Sequence, residues 1–280
     1  MDTTFLEGIC RAEVEAISKL APHLVEKIVR QGAGGDHTRM IDLVAEEAAI
    51  SYLESVSFRG RLLSEELGEK RFGADDFPLI VLDPVDGTTN AARGINFFSI
   101  SVALSSGALL SDVIAGAVME LPSGRLFTAE KWKGAFMDGK RIGVRAKSSL
   151  RDGLIGVDFN VLGNQQKMFE ILPLCLGVKH IRNMGSAALE LCYVASGGLD
   201  LYADNRSMLR VTDIAAAYVI ILEAGGSMLD LNGNTLDCEL SLSERISLVA
   251  GSEANCREAL SLIYGKRLVT GKNVAKEINP

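Results

Sequence analysis

The stretch running from Leu79 to Asn90 constrains this chain more than any other. Four consecutive apolar residues, Leu79, Ile80, Val81 and Leu82, read as a buried strand. Its carboxyl end carries two carboxylates, Asp83 and Asp86, three residues apart. Pro84 between them has no N–H and stops the ladder, and Gly87 turns the chain. Thr88, Thr89 and Asn90 follow, residue types that favour a helix N-cap. Carboxylates, hydroxyls and free helix N–H groups thus meet at one point, which is what a divalent cation and a phosphate jointly require.

At 280 residues the chain exceeds a typical single domain, so two domains or one large α/β unit is expected. A composition of 48% hydrophobic and 23% charged residues supplies ample core. Apolar runs such as Ala215 to Leu222 are too short to span a bilayer. The stretch Met1-Asp2-Thr3-Thr4-Phe5-Leu6-Glu7 lacks the basic and apolar regions of a signal peptide, so a cytoplasmic enzyme without a membrane partner is expected. A net charge of −7 with no Lys/Arg stripe argues against nucleic-acid binding. An acidic protein that acts on an anionic phosphate needs local cations, and metal ions are the economical source. The five cysteines are odd in number, widely spaced and form no CxxC pair, so reduced buried thiols fit better than disulfides or a zinc site.

Helical apolar spacing runs over residues 3–30 (Phe5, Ile9, Val14, Ile17, Leu20, Leu24, Ile28), with a kink or break at Pro22, and ends in the loop Gly32-Ala33-Gly34-Gly35. That loop is no P-loop, because no GK[ST] follows. A second helix is expected over residues 39–57. Strands follow at Arg61 to Ser64, Leu79 to Leu82, Phe97 to Leu104, Val113 to Met119 and Arg125 to Ala129, with a hairpin turn at Asp138-Gly139. Alternation in Ser99-Ile100-Ser101-Val102-Ala103 favours antiparallel pairing, so the first half reads as two helices on an antiparallel sheet. After Lys147-Ser148-Ser149, short strands alternate with helices. Residues 1–148 therefore form an expected α+β domain, and 149–280 an α/β domain.

Three acidic clusters carry the chemistry: Glu65 and Glu66 after a short apolar strand, Asp83 and Asp86 after the next, and Asp213 where a loop enters an apolar helix. Glutamates before a glycine ordinarily solvate a turn, and an Asp at a helix start is ordinarily a cap. Asp83 and Asp86 are harder to explain that way, because one turn brings two like charges together and a shared cation removes the cost.

At this point the chain resembles the inositol monophosphatase family of Mg²⁺-dependent, Li⁺-sensitive phosphatases. Asp83-Pro84-Val85-Asp86-Gly87-Thr88-Thr89-Asn90 is similar to the family's first signature, and Ser64-Glu65-Glu66 to its upstream acidic pair. Trp132-Lys133-Gly134-Ala135-Phe136-Met137-Asp138-Gly139 resembles its WxGA hairpin, and Gly185-Ser186-Ala187-Ala188-Leu189 its GSAAL stretch. Val211-Thr212-Asp213-Ile214-Ala215-Ala216, followed by Glu223-Ala224-Gly225-Gly226, resembles its carboxyl-terminal signature. The order and spacing match along nearly the whole chain.

The resemblance implies a layered αβαβα sandwich of two subdomains and, usually for this family, a homodimer. It implies two or three Mg²⁺ ions per site, with Mn²⁺ able to substitute, held by Glu65, Asp83, the main-chain carbonyl of Val85, Asp86 and Asp213. Thr88 would hold and help to activate the attacking water, while Gly87 and Thr88 would offer N–H groups to the phosphate. Hard oxygen ligands suit Mg²⁺, and paired metals stabilise both the attacking and leaving oxygens of an in-line displacement. No protein nucleophile or histidine base is needed.

Departures from the pattern place the subgroup. Thr212-Asp213 replaces the Trp-Asp of the animal-type enzymes. The loop Gly35-Asp36-His37-Thr38 leading to Ile41-Asp42-Leu43 looks like that of the archaeal enzymes acting on both inositol monophosphate and fructose 1,6-bisphosphate. In that group a mobile loop carries an acid for a third, weaker metal; Asp36 is the candidate, Asp42 the reserve, and Glu46 and Glu47 come after them. Asp204 lies where the family places an acid that hydrogen-bonds substrate hydroxyls, and Gly185, Ser186 and Ala187 would border the ring. Arg182, Arg206 or Arg210 could receive a second phosphate as a bidentate partner, although each is also an ordinary surface arginine. The expected substrates are fructose 1,6-bisphosphate and inositol 1-phosphate. The alternatives are a phosphatase for another small phosphate, such as a 3′-phosphoadenosine nucleotide, or a metal-responsive binding protein that has lost turnover.

Overall fold

The computed structural model describes residues 1–35, 37–145 and 149–265. Asp36 and the anticipated boundary at residue 148 lie outside the described residues. Helix α1 spans Thr3–Ser18, strands β1 and β2 span Ile28–Gln31 and His37–Arg39, and helix α2 spans Met40–Ser55. Then come β3 (Gly60–Ser64), β4 (Gly68–Phe72), β5 (Leu79–Asp86), α3 (Thr88–Arg93), β6 (Ser99–Ser105), β7 (Val113–Glu120), β8 (Leu126–Glu130), β9 (Gly134–Met137) and β10 (Lys140–Arg141). The remainder comprises β11 (Leu154–Val157), α4 (Gln165–Gly177), β12 (His180–Arg182), α5 (Ala187–Ala195), β13 (Leu201–Leu209), α6 (Val211–Glu223), β14 (Ser227–Leu229), β15 (Ile246–Gly251) and α7 (Glu253–Tyr264).

Among the described residues, an eight-stranded sheet runs in the order β10-β9-β8-β7-β6-β5-β3-β4, and a five-stranded sheet in the order β12-β11-β13-β15-β14. Helices α1 and α2 cover one face of the larger sheet, α5 and α6 fill the space between the sheets, and α4 and α7 cover the outer face of the smaller one. This is the expected αβαβα sandwich. Local chemistry explains the layers. In α1 the Asp2 carboxylate caps the N–H groups of Thr4 and Phe5, and Leu6, Ile9, Cys10 and Glu13 share the buried face. Helix α6 is apolar nearly all round, and every residue from Val211 to Ile221 except Asp213 is buried, as a helix between two sheets requires.

Three features depart from the sequence expectation. Helical spacing continues to Ile28, but α1 stops at Ser18; Leu24 sits in a short 3₁₀ turn, and Ile28 is 54% exposed in the β1–β2 hairpin. Pro22 at the start of that turn cannot donate a helical hydrogen bond, and the chain does not resume the helix. The larger sheet is not wholly antiparallel, since β3 and β5 pair in parallel, with Ser64 opposite Leu82. Pro84 does not end β5 either. The ladder with β6 continues to Asp86 through a shift in register between Asp83 and Asp86, a place where a residue without N–H is tolerated.

Candidate active site

The parallel pairing of β3 with β5 sets out the site. Both strands end on the same side, so Glu65, one residue past β3, stands beside Asp83, one residue past Leu82; the Glu65 N–H donates to the Leu82 carbonyl at 3.3 Å. In a regular strand, residues three apart face opposite ways; the bulge around Pro84 re-aims them, so Asp83 and Asp86 act on the same acidic cluster. Asp213 enters from the first turn of α6. One carboxylate oxygen from each of Glu65, Asp83 and Asp213 lies within 4.8 Å of the others. Asp86 is tied to the second half of the chain, since Ser186 Oγ and the Ala188 N–H (2.8 Å) donate to its carboxylate.

The electrostatics follow from that crowding. Burial, then the neighbouring Asp213 charge, push Glu65 up to about 8. Asp86 rises to about 7 for the same reasons, opposed by its Ser186 and main-chain donors. Burial and the charges of Glu65, Asp86 and Asp213 hold Asp83 well above the carboxylate range. Asp213 is raised by burial, opposed by the Arg210 N–H and side chain. Carboxylates converging in this way, Asp83 and Asp86 buried and Glu65 and Asp213 half-buried, disfavour ionisation unless a cation joins them. An all-oxygen donor set of this kind, with the Val85 carbonyl alongside, fits a hard divalent cation.

A cavity of about 460 Å³ opens over these acids, and Val85, Gly87, Thr88, Gly185, Ala187, Arg206 and Arg210 line it with them. Gly87 has φ 92°, and a Cβ there would lie 3.1 Å from the Gly185 carbonyl oxygen, so the turn requires glycine. Thr88 Oγ1 lies 2.9 Å from the Val85 carbonyl oxygen and 3.1 Å from Asp42 Oδ1. Asp42 is buried in the first turn of α2; its other oxygen accepts the Arg39 N–H at 2.7 Å, and burial pushes it up to about 7. Asp213 repeats that arrangement in α6, accepting the Arg210 N–H at 2.8 Å. Glu46 and Glu66, also buried, face Ser64 and Thr38 respectively, while Glu47 is exposed.

The expected substrate contacts are distributed less simply. Asp204 is fully buried beneath Arg206, whose Nε donates to it at 3.0 Å, so it meets the cavity through Arg206 and not directly. Arg206 also pairs with Asp158 at 2.8 Å, and Asp158 lines the cavity. Arg210 pairs with Glu65 at 2.8 Å. Ser186 is buried against Asp86, behind the lining residues Gly185 and Ala187. Arg182 is exposed, donates to the Ile181 carbonyl and is not among the lining residues, because β12 is the edge strand of the smaller sheet. Asp158 escaped the sequence reading. Its signal was an acid directly after an apolar strand, the same one that marks Asp83.

This sandwich and its acidic cavity define a metal-dependent phosphomonoesterase class. The inositol monophosphatase family model matches residues 2–265, and the chain belongs to that family. It is 35% identical over 273 residues to a fructose-1,6-bisphosphatase/inositol-1-monophosphatase of Methanothermobacter thermautotrophicus, covering 92% of this chain and 96% of that one. It is also 35% identical to a bifunctional NADP phosphatase/NAD kinase of Methanococcus maripaludis, over 86% of this chain but only 45% of that longer protein. The solved structure of the extragenic suppressor protein SuhB from Bartonella henselae superposes with a TM-score of 0.81 at 27% identity, covering 94% of this chain and 98% of that one. No helix among the described residues is long and apolar enough to cross a membrane.

Proposed function

We propose that this chain hydrolyses phosphomonoesters of small polyols, inositol 1-phosphate and fructose 1,6-bisphosphate first among them, with Mg²⁺ held by Glu65, Asp83, Asp86, Asp213 and the Val85 carbonyl. The observation that carries this reading is the convergence of Glu65, Asp83 and Asp213 beside the Thr88–Asp42 pair, in one cavity. Bound there, the cation supplies charge that polarises the phosphoryl oxygens and acidifies water. Thr88 has one hydroxyl proton to direct. With Asp42 ionised, that proton points to Asp42 Oδ1, which leaves the Thr88 oxygen free to accept from the attacking water and pass a proton inward. The N–H groups of Gly87 and Thr88 face the phosphate, and Arg206, braced by Asp158 and Asp204, faces the polyol or its second phosphate. Residues 1–148 and 149–280 act as two subdomains across this cavity, a reading supported by one sheet drawn from each.

A homodimer and a cytoplasmic location belong to the same proposal. Phe169, Leu172 and Leu176 lie at helical spacing on α4 and are 63%, 38% and 79% exposed, a face suited to a second copy. The match to the methanococcal NADP phosphatase/NAD kinase favours one further reading, a nucleotide ribose phosphate as substrate. Phosphate release with Mg²⁺ should be measured on inositol 1-phosphate, fructose 1,6-bisphosphate, NADP and a 3′-phosphoadenosine nucleotide. The proposal expects the first two to give the highest kcat/KM. A tenfold preference for either nucleotide would replace it, and turnover of none would favour a binding protein.

A further inference from the structure

We propose that Arg210 is the built-in counter-ion of the metal site, and that its guanidinium competes with the divalent cation for Glu65. The inference rests on the metal-site reading above. Arg210 Nη1 pairs with Glu65 Oε1 at 2.8 Å, while Nη2 donates to the Gly34 carbonyl at 3.0 Å. The guanidinium therefore sits between a carboxylate of the acidic cluster and the turn that joins β1 to β2. That turn is cut to fit it. A Cβ on Gly34 would lie 3.1 Å from Arg210 Nε and 3.1 Å from Glu65 Cγ, so any side chain at this position would press on the pair. The turn is docked on the same strand end, since the Gly34 and Ala33 N–H groups donate to the Glu65 and Glu66 carbonyls at 2.8 and 3.0 Å.

Charge accounts for the arrangement. Arg210 meets two of the cluster's acids: its guanidinium pairs with Glu65, just past β3, and its main-chain N–H donates to Asp213 in α6 at 2.8 Å. Arg206, another cation on the cavity wall, is instead committed to Asp158 and Asp204. A carboxylate cluster without a cation is costly in a partly buried site, and a fixed guanidinium offsets part of that cost in the metal-free protein. The same positive charge then opposes an incoming cation. Arg210 acts as a positioning residue: it keeps Glu65 in place and the Gly34 turn attached while the metal is absent, and it weakens metal binding in exchange.

The test compares wild type, Arg210→Gln and Arg210→Lys by Mn²⁺ titration calorimetry and by melting with and without Mn²⁺. We expect Arg210→Gln to bind Mn²⁺ about tenfold more tightly, a change matching the loss of one charge-assisted contact. It should melt below wild type without metal and close to wild type with it. Arg210→Lys, which keeps the charge but not the fork, should fall between them in affinity. Equal or weaker Mn²⁺ binding by Arg210→Gln, or an equal loss of melting temperature with and without Mn²⁺, overturns the inference, since Arg210 would then not compete with the cation for Glu65. If wild type binds no Mn²⁺ at all, the metal-site reading itself fails.

Discussion

Thr88 and Asp42 lie 46 residues apart in sequence, yet Thr88 Oγ1 is 3.1 Å from Asp42 Oδ1. The contact joins the turn after β5 to the first turn of α2, and it gives a buried carboxylate the position to receive a proton. Asp42→Asn should keep the hydrogen bond but not the proton affinity. Its kcat should fall by ~10²-fold or more, the scale of losing a general base, with Mn²⁺ binding unchanged. Burial places Asp42 at about 7, so wild-type kcat should rise as pH passes through 7, and the variant should lose that limb. Undiminished turnover in Asp42→Asn would remove Asp42 from the proton path.

Metal removal should reverse the ordinary dependence of stability on pH. Glu65 and Asp86 have folded-state pKa values raised to about 8 and about 7, from 4.5 and 3.8. The native state therefore holds protons that the unfolded chain releases. The associated stability is complete below about pH 4 and is lost as pH rises through 7 to 8. Melting of the metal-free protein should drop on the order of 5 °C between pH 5 and pH 8, and saturating Mg²⁺ should abolish the drop. A metal-free melting temperature that climbs over that interval would contradict the raised carboxylates.

Asp204 carries a stability prediction. It is fully buried and bonded to Arg206, whose side chain is 10% exposed. Asp204→Ala leaves part of a buried charge without its partner and should cost about 3 kcal/mol in urea unfolding. Asp76→Ala, which removes the partner of exposed Arg71, should cost below about 1 kcal/mol. Similar costs for the two would mean that the Asp158–Arg206 pair alone holds the cavity wall.

The exposed α4 face predicts assembly. Light scattering should find a dimer, and Leu176→Glu, at a position 79% exposed in the single chain, should convert it to monomer without lowering the monomer's helix content. A wild-type monomer at micromolar concentration would leave that face to another partner.

Local signals made the centre of the site legible. The order acid, proline, valine, acid, glycine, threonine marks Asp83, Asp86, Gly87 and Thr88 as one local group, although the β5 ladder runs on past Pro84 to Asp86 through a shift in register. The helix-start acids needed two readings at once. In Asp42 one oxygen caps α2 through the Arg39 N–H while the other meets Thr88, so one carboxylate serves as a cap and also faces the candidate site. What could not be read is long-range. Asp204-Asn205-Arg206-Ser207 has the polarity of a loop, yet it belongs to β13, because Arg206 neutralises Asp204 and Asp158 inside the sheet. The parallel neighbour of β5 is likewise a choice of topology, and only that choice sets Glu65 beside Asp83.

The central claim is that Glu65, Asp83 and Asp213 hold a divalent cation together. Crystals soaked in Mn²⁺ and recorded at the manganese edge test it most directly. An anomalous peak within coordination distance of all three carboxylates, lost in Asp83→Asn, is the predicted result. A map with no peak between them, or with manganese bound only elsewhere, would contradict it.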